Sequence, residues 1–355
     1  MLFAAVSAFL GLLASLAAAF PRPTTLVTID AETVLYWGQN DGSTIENNDL
    51  AAYCTSDAGV DIIVLAFLQS FGYNRNDVPS GAIGQSCFIT NAGEGQNCDT
   101  LASAITTCQS KGVKVILSLG GAIGSYALSS KDEATTIGNN LWKLYGNPGS
   151  ADVRQRPFGK AFVNGFDFDL EQSRGNEHYP AMITALRSNF GSDPRNSYYI
   201  TGAPQCPIPE PNMGVVIENA RFDYLWPQFY NNNNYTAPCA LPVNGNAPFN
   251  YDDWVSYTAG TPSAGASTPI LSNSGTSTEL LIGVPASPLA ADGGPAGETY
   301  YATPRQLSDI VRKYKSHERF GGIMMWSAGF SDSNVVDGCT YAQQAKSILT
   351  TGSPC

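Results

Sequence analysis

The sequence predicts an α/β fold, a single-domain (β/α)8 or TIM barrel. Eight short apolar runs rich in β-branched residues recur along the chain, each bounded by turn residues. Several are hydrophobic throughout, as in Ile62-Ile63-Val64-Leu65-Ala66-Phe67-Leu68, which is how strands buried on both faces read. Helix-like stretches lie between them, and such alternation implies parallel pairing. A length of 355 residues would also admit two domains, but no internal repeat or low-complexity linker divides the chain.

The elements follow in order. Leu2 to Ala19 is almost wholly apolar and ends in Ala17-Ala18-Ala19, before Phe20-Pro21-Arg22-Pro23. This reads as a secretory signal peptide over 1–19, with a single mature domain over 20–355 and a secreted, extracellular product. A membrane anchor is the alternative, since the segment approaches spanning length. The strands are expected at Thr33–Trp37, Asp61–Leu68, Lys114–Leu119, Phe162–Leu170, Tyr198–Ala203, Tyr224–Tyr230, Leu280–Pro285 and Gly322–Trp326. Helices are expected at Asp99–Ser110, Glu133–Tyr145, Tyr179–Phe190 and Pro304–Ser316, the last with Thr303 as cap and Pro304 in first position. Thr258–Thr278, rich in Ser, Thr, Gly and Pro, reads as a long loop because the strand pattern resumes at Leu280.

Charged residues make up 14% and hydrophobic ones 43%, which excludes a disordered tail or a coiled coil. The formal net charge of −11 is spread along the chain and argues against nucleic-acid partners. Eight cysteines without a CxxC pair, and only two histidines, make a metal centre unexpected and disulfides expected in an oxidising compartment. Asn234-Tyr235-Thr236 is a glycosylation acceptor.

Chemistry in such barrels sits at the carboxyl ends of the strands. The fourth run, Asn164-Gly165-Phe166-Asp167-Phe168-Asp169-Leu170-Glu171, is the most informative. Side chains alternate along a strand, so Asp167, Asp169 and Glu171 share the barrel-facing side. Stacked carboxylates repel one another, and burial penalises their charge, so at least one should hold its proton unusually well. A satisfied salt-bridge cluster is the alternative, although few bases flank the segment.

This run resembles the D-G-x-D-x-D-x-E signature of glycoside hydrolase family 18, the chitinases and their relatives, and the mature chain resembles the small class III chitinases of plants and fungi. The resemblance extends to Leu35-Tyr36-Trp37-Gly38-Gln39-Asn40, Ala66-Phe67-Leu68, Ser118-Leu119-Gly120-Gly121, Gln228-Phe229-Tyr230-Asn231-Asn232 and Met325-Trp326-Ser327. It implies hydrolysis of β-1,4 links between N-acetylglucosamine units, with retention and assistance from the substrate's own acetamide. Glu171 would be the general acid. Asp169 would orient the acetamide, Asp167 would share a proton with Asp169, and Tyr230 would bond the attacking carbonyl oxygen. Residue spacing agrees: Asp169 and Glu171, two apart on one strand, have their Cβ atoms about 7 Å apart, close enough to serve one sugar ring. Trp326 would form the floor of the site, with Gln228, Tyr36, Phe67 and Asn231 around the sugar. Otherwise Tyr36, Phe67 and Trp326 are plain barrel core, and Gln228 makes a structural hydrogen bond. Non-catalytic carbohydrate-binding or inhibitor proteins on the same barrel, and endo-acting enzymes on N-glycans, are the competing readings.

The resemblance further implies non-proline cis peptides at Ala66–Phe67 and Trp326–Ser327. It implies bridges Cys54–Cys108, Cys87–Cys98 and Cys206–Cys239, which leaves Cys339 with Cys355. The expected partner is chitin or chito-oligosaccharides, bound by a monomer in an open, endo-cleaving groove. No cofactor, metal, membrane contact or separate chitin-binding module is expected. One departure stands out: Asn164 occupies the first, acidic position of the signature, which is expected to alter proton sharing behind Asp167.

Overall fold

A computed structural model describes residues 31–39, 46–73, 76–232, 238–245, 249–259, 278–291 and 297–355, together with Met1. The segment read as a signal peptide, the acceptor Asn234 and residues 260–277 of the expected Thr258–Thr278 loop lie outside the described residues. Ala31–Cys355 forms one compact unit.

Eight parallel strands close on themselves: β1 (Glu32–Trp37), β2 (Ile62–Gly72), β3 (Lys114–Gly120), β4 (Gly165–Asp169), β5 (Tyr199–Gly202), β6 (Tyr224–Leu225), β7 (Glu279–Pro285) and β8 (Phe320–Trp326). Each pairs with its successor, and β1 pairs with β8 in the register Val34↔Met324. Closure leaves the barrel no free edge. The period of two sorts the side chains. Val34, Tyr36, Ile62, Val64, Ile116, Trp226 and Met324 fill the barrel, whereas Leu35, Ile63, Leu65, Phe166 and Phe168 pack outward in the larger core.

Around this ring run α1 (Asp99–Ser110), α2 (Lys131–Tyr145), α3 (Tyr179–Phe190), α4 (Gly214–Asn219), α5 (Tyr251–Ala259), α6 (Pro304–Tyr314), α7 (Ala328–Ser333) and α8 (Tyr341–Thr351). Local chemistry sets their starts. Ser130 caps α2 by accepting from the Glu133 amide, and α6 and α8 open with reciprocal capping boxes, Thr303 with Gln306 and Thr340 with Gln343. No helix among the described residues is long and apolar enough to cross a membrane.

The structure adds to or departs from the sequence reading at several places, among them the helices α4, α5, α7 and α8 and a short strand, Ser125–Ala127, paired with β2. The connection from β1 to β2 carries, among its described residues, only a 3-10 turn, Leu50–Cys54. After β2, an antiparallel ladder of Asn76–Ile83, Cys87–Ile89 and Gly95–Gln96 extends the sheet; its Gly- and Asn-rich sequence hides the alternation that marks a strand. β6 stops at Leu225 because Pro227 has no N–H to donate, and Gln228 rejoins the sheet only through isolated bridges to Gln205 and Gly283.

The bridges Cys54–Cys108, Cys87–Cys98, Cys206–Cys239 and Cys339–Cys355 are all formed. Ala66–Phe67 and Trp326–Ser327 are both cis, as is Ile208–Pro209. Cys54–Cys108 joins the 3-10 turn to α1 across a sequence separation of 54. Replacing both cysteines by alanine is expected to destabilise the fold by about 4 kcal/mol through the freed loop entropy of the unfolded chain. Equilibrium denaturation checks this; a loss below about 1 kcal/mol would contradict it.

Candidate active site

At the carboxyl ends of the strands lies a cavity of about 210 Å³, lined among others by Tyr36, Phe67, Asp169, Glu171, Gln228, Tyr230, Asn231 and Trp326. Every residue expected in contact with a sugar is thus at one place, and Asp167 lies fully buried on the same strand as Asp169. Larger clefts of about 600 Å³ lie around Asp61, Lys111 and Lys346 and around Arg305, Arg312 and Asp337. The smaller cavity is the one that gathers the buried carboxylates.

The ladder is built from below. Asp167 accepts three hydroxyls, from Tyr36 on β1 (2.7 Å), Ser118 on β3 (2.6 Å) and Thr201 on β5 (2.7 Å). Trp226 Nε1 donates to the Tyr36 oxygen at 2.9 Å, so the Tyr36 proton is directed to Asp167. Burial pushes the Asp167 carboxyl above the usual range, and the three hydroxyls pull it back. With its oxygens occupied in this way, Asp167 acts on Asp169 as a neighbouring negative charge. Asp169 is pushed well above the ordinary carboxylate range by burial, then by the charges of Glu171 and Asp167, while the Gln228 amide, donating at 3.0 Å, lowers it. Burial also raises Glu171, and the Gln228 side chain lowers it in part. The Asp169–Glu171 pair therefore holds a proton at pH values where free carboxyls are ionised.

Two contacts fix Glu171 from outside the strand. The Glu171 amide donates to the Tyr126 hydroxyl at 2.9 Å, and that hydroxyl donates to the Gly121 carbonyl at 2.8 Å. Gln205 Nε2 donates to Glu171 Oε2 at 3.3 Å. Sequence reasoning misses Tyr126 and Gln205. Gln205 carries a usable signal, a polar residue just past the end of β5, but Tyr126 sits on a three-residue strand, Ser125–Ala127, that pairs with the end of β2 and is too short for spacing to reveal its contacts. Gly120 must be glycine: it has φ +110°, and a Cβ there would lie 2.1 Å from the Asp169 carbonyl oxygen.

Aromatic rings form the floor. Trp326 stacks on Phe67 at 5.9 Å between centroids and 19°, and Tyr36 leans on it at 5.6 Å. Tyr230 is buried, and the charges of Asp169 and Glu171, after burial itself, push its phenol far up. It is therefore a neutral hydrogen-bond donor facing the carboxylate pair.

Asn164 does not meet the expectation that it alters proton sharing behind Asp167. It lies on the opposite parity from the ladder, before β4 begins, and its Oδ1 accepts from Gln109 Nε2 and the Val115 amide, both at 2.9 Å. It ties α1 to the start of β3 instead of reaching Asp167. Asn164→Asp is accordingly expected to leave the rate and both limbs of the pH profile unchanged, since a carboxylate can accept the same two donors. A limb displaced by about half a unit would contradict this.

A closed parallel barrel with paired buried carboxyls over an aromatic floor, at the carboxyl ends of its strands, has the make-up of a glycoside hydrolase. Residues 32–299 match the profile of Glycosyl hydrolases family 18, and the chain belongs to that family. It is 62% identical over 326 residues to Endochitinase 2 of Metarhizium anisopliae, covering 92% of this chain and 74% of that protein. It is 37% identical over 337 residues to the Endochitinase of Saccharomyces cerevisiae, covering 93% of this chain and 53% of the relative. Among solved structures it resembles a chitinase from Ipomoea carnea (30% identity, TM-score 0.65, 89% of this chain and 98% of that one). It also resembles a xylanase and α-amylase inhibitor protein from Scadoxus multiflorus (27% identity, TM-score 0.68, 92% and 99%).

Proposed function

We propose that this protein is a secreted chitinase that hydrolyses β-1,4 links between N-acetylglucosamine units, cutting within the chain and retaining anomeric configuration. The observation that carries this reading is the buried Asp169–Glu171 pair, with Tyr230 and Trp326, around one cavity. The protonated Glu171 donates to the glycosidic oxygen as the C–O bond breaks. The 2-acetamido carbonyl oxygen of the same sugar attacks the anomeric carbon from the other face and gives an oxazolinium ion. Asp169 accepts from the acetamide N–H and offsets the growing positive charge, and the Tyr230 hydroxyl donates to the attacking oxygen. Trp326 supports the sugar face and presents its negative π-face to the cationic centre. Glu171, now ionised, takes a proton from water, which opens the ring on the face the leaving group vacated.

The fungal endochitinases named above support chitin as substrate. The inhibitor fold-relative raises a second reading, a protein that binds without turnover, but the complete set Glu171, Asp169 and Tyr230 favours hydrolysis. Removal of residues 1–19, a single domain over 20–355, glycan at Asn234 and a monomeric state belong to the same proposal. The test is proton NMR of products from chitopentaose, with a high-mannose glycoprotein in a parallel arm. Initial β-anomer from chitopentaose and no glycan release are expected. Initial α-anomer would overturn retention, and no turnover of chitopentaose would overturn the activity.

A further inference from the structure

A second hydrogen-bond system lies behind the acid, at the ends of β5 and β6. Asn232, which is buried, donates from Nδ2 to the Tyr230 carbonyl at 2.8 Å and toward the Gln228 carbonyl at 3.4 Å. Carbonyls only accept, so the Asn232 amide nitrogen must point there. The same nitrogen donates to Gln205 Oε1 at 2.8 Å, which fixes Gln205 in turn, its Nε2 directed to Glu171 Oε2. The Gln205 backbone is held as firmly. Its amide donates to Glu210 Oε1 at 2.9 Å, and Glu210 Oε2 accepts the amides of Asn212 and Met213. Next in the chain, Cys206 is bridged to Cys239, and its carbonyl accepts from Trp254 Nε1 and Asn250 Nδ2, both at 2.9 Å.

We propose that Gln205 is a positioning residue for the acid: clamped by Asn232 and Glu210, it occupies Glu171 Oε2 with an N–H and leaves Oε1 to carry the proton toward the scissile oxygen. The inference rests on the hydrolase reading only for the identity of that oxygen. An N–H on one carboxylate oxygen favours the ionised form. Gln205 therefore adds to the Gln228 side chain, which lowers Glu171 against the burial that raises it, and keeps the acid able to part with its proton. The titratable groups facing Glu171 are Asp169, Tyr126 and Tyr230. Facing Glu210 is Tyr257; burial pushes Glu210 itself up to about 7 despite four backbone N–H donors.

Two variants separate positioning from packing. Gln205→Met keeps the volume and loses the N–H. Gln205→Glu keeps the oxygen that receives Asn232 and turns a second carboxyl toward the acid. The midpoint of Glu171 is read by NMR titration of ¹³Cδ-glutamate-labelled full-length protein, its signal identified by its absence in Glu171→Gln. The midpoint should rise by roughly half a unit to one unit in Gln205→Met and by more in Gln205→Glu. The alkaline limb of kcat should move with it, kcat falling roughly tenfold while KM stays within about twofold. An unmoved Glu171 midpoint in either variant overturns the proposal. Because the titration needs no substrate, a midpoint that moves in a protein inactive on chito-oligosaccharides would support the clamp and sink only the hydrolase reading.

Discussion

Glu171→Gln is expected to lower kcat on chito-oligosaccharides by about 10³-fold or more, roughly 4 kcal/mol in the barrier, while ligand affinity changes less than about threefold. Glutamine preserves the shape of the side chain and an oxygen for the Gln205 amide, which donates at 3.3 Å. It carries no acidic proton, so the leaving oxygen would depart as an alkoxide, and the ring-opening water would lose its base. Ground-state contacts to Trp326 and Tyr230 are untouched, which is why binding survives. Steady-state turnover of a fluorogenic chitotriose and calorimetric titration with chitotetraose measure the two quantities. Turnover within about tenfold of the parent enzyme would remove Glu171 from the mechanism.

Asp169→Asn should cost about 10²- to 10³-fold in kcat and also move the alkaline limb of the profile downward, by about one unit. The sign follows from the physics of the pair. In the native site burial and the neighbouring charges of Glu171 and Asp167 raise Asp169, and burial raises Glu171, so the two carboxyls retain a proton well above the usual range. Coupled groups lose protons in two steps, and the higher step sets the alkaline limit for acid catalysis. An amide at 169 removes one titrating partner and its repulsion, so only the burial-raised Glu171 remains and the upper step falls. The Gln205 variants move the same limb upward, so the direction alone tells the two effects apart. An Asp169→Asn limb that stays in place or rises would contradict this account of the pair.

Much of this site is legible in residue order because the barrel obeys simple periodicity. The run around Ile62–Leu68 reads as a doubly buried strand, and the two-residue spacing of Asp167, Asp169 and Glu171 by itself puts them on one face. Parity also contains the fate of Asn164: counted from the ladder it falls on the helix-facing side, a count that likeness to an acidic signature obscures. What stays hidden depends on contacts between distant segments. Tyr126 meets Glu171 across 45 positions, and Gln205 meets it across 34, contacts that no local pattern encodes. The truncation of β6 is readable from Pro227, whereas the ladder at 76–96 has too much Gly and Asn to declare itself.

The ring closes only when β8 docks beside β1, with Leu35 opposite Met325. Tyr36 and Trp326, which lean on each other in the floor, sit at opposite ends of the sequence. A chain folding from its amino end would carry one half of that platform, and later both acidic groups, long before it owned a complete seat for a sugar. Catalytic competence is thus withheld until the final strand arrives. Recovery of turnover during refolding should consequently lag behind recovery of secondary structure and serve as a clock for the last step of closure.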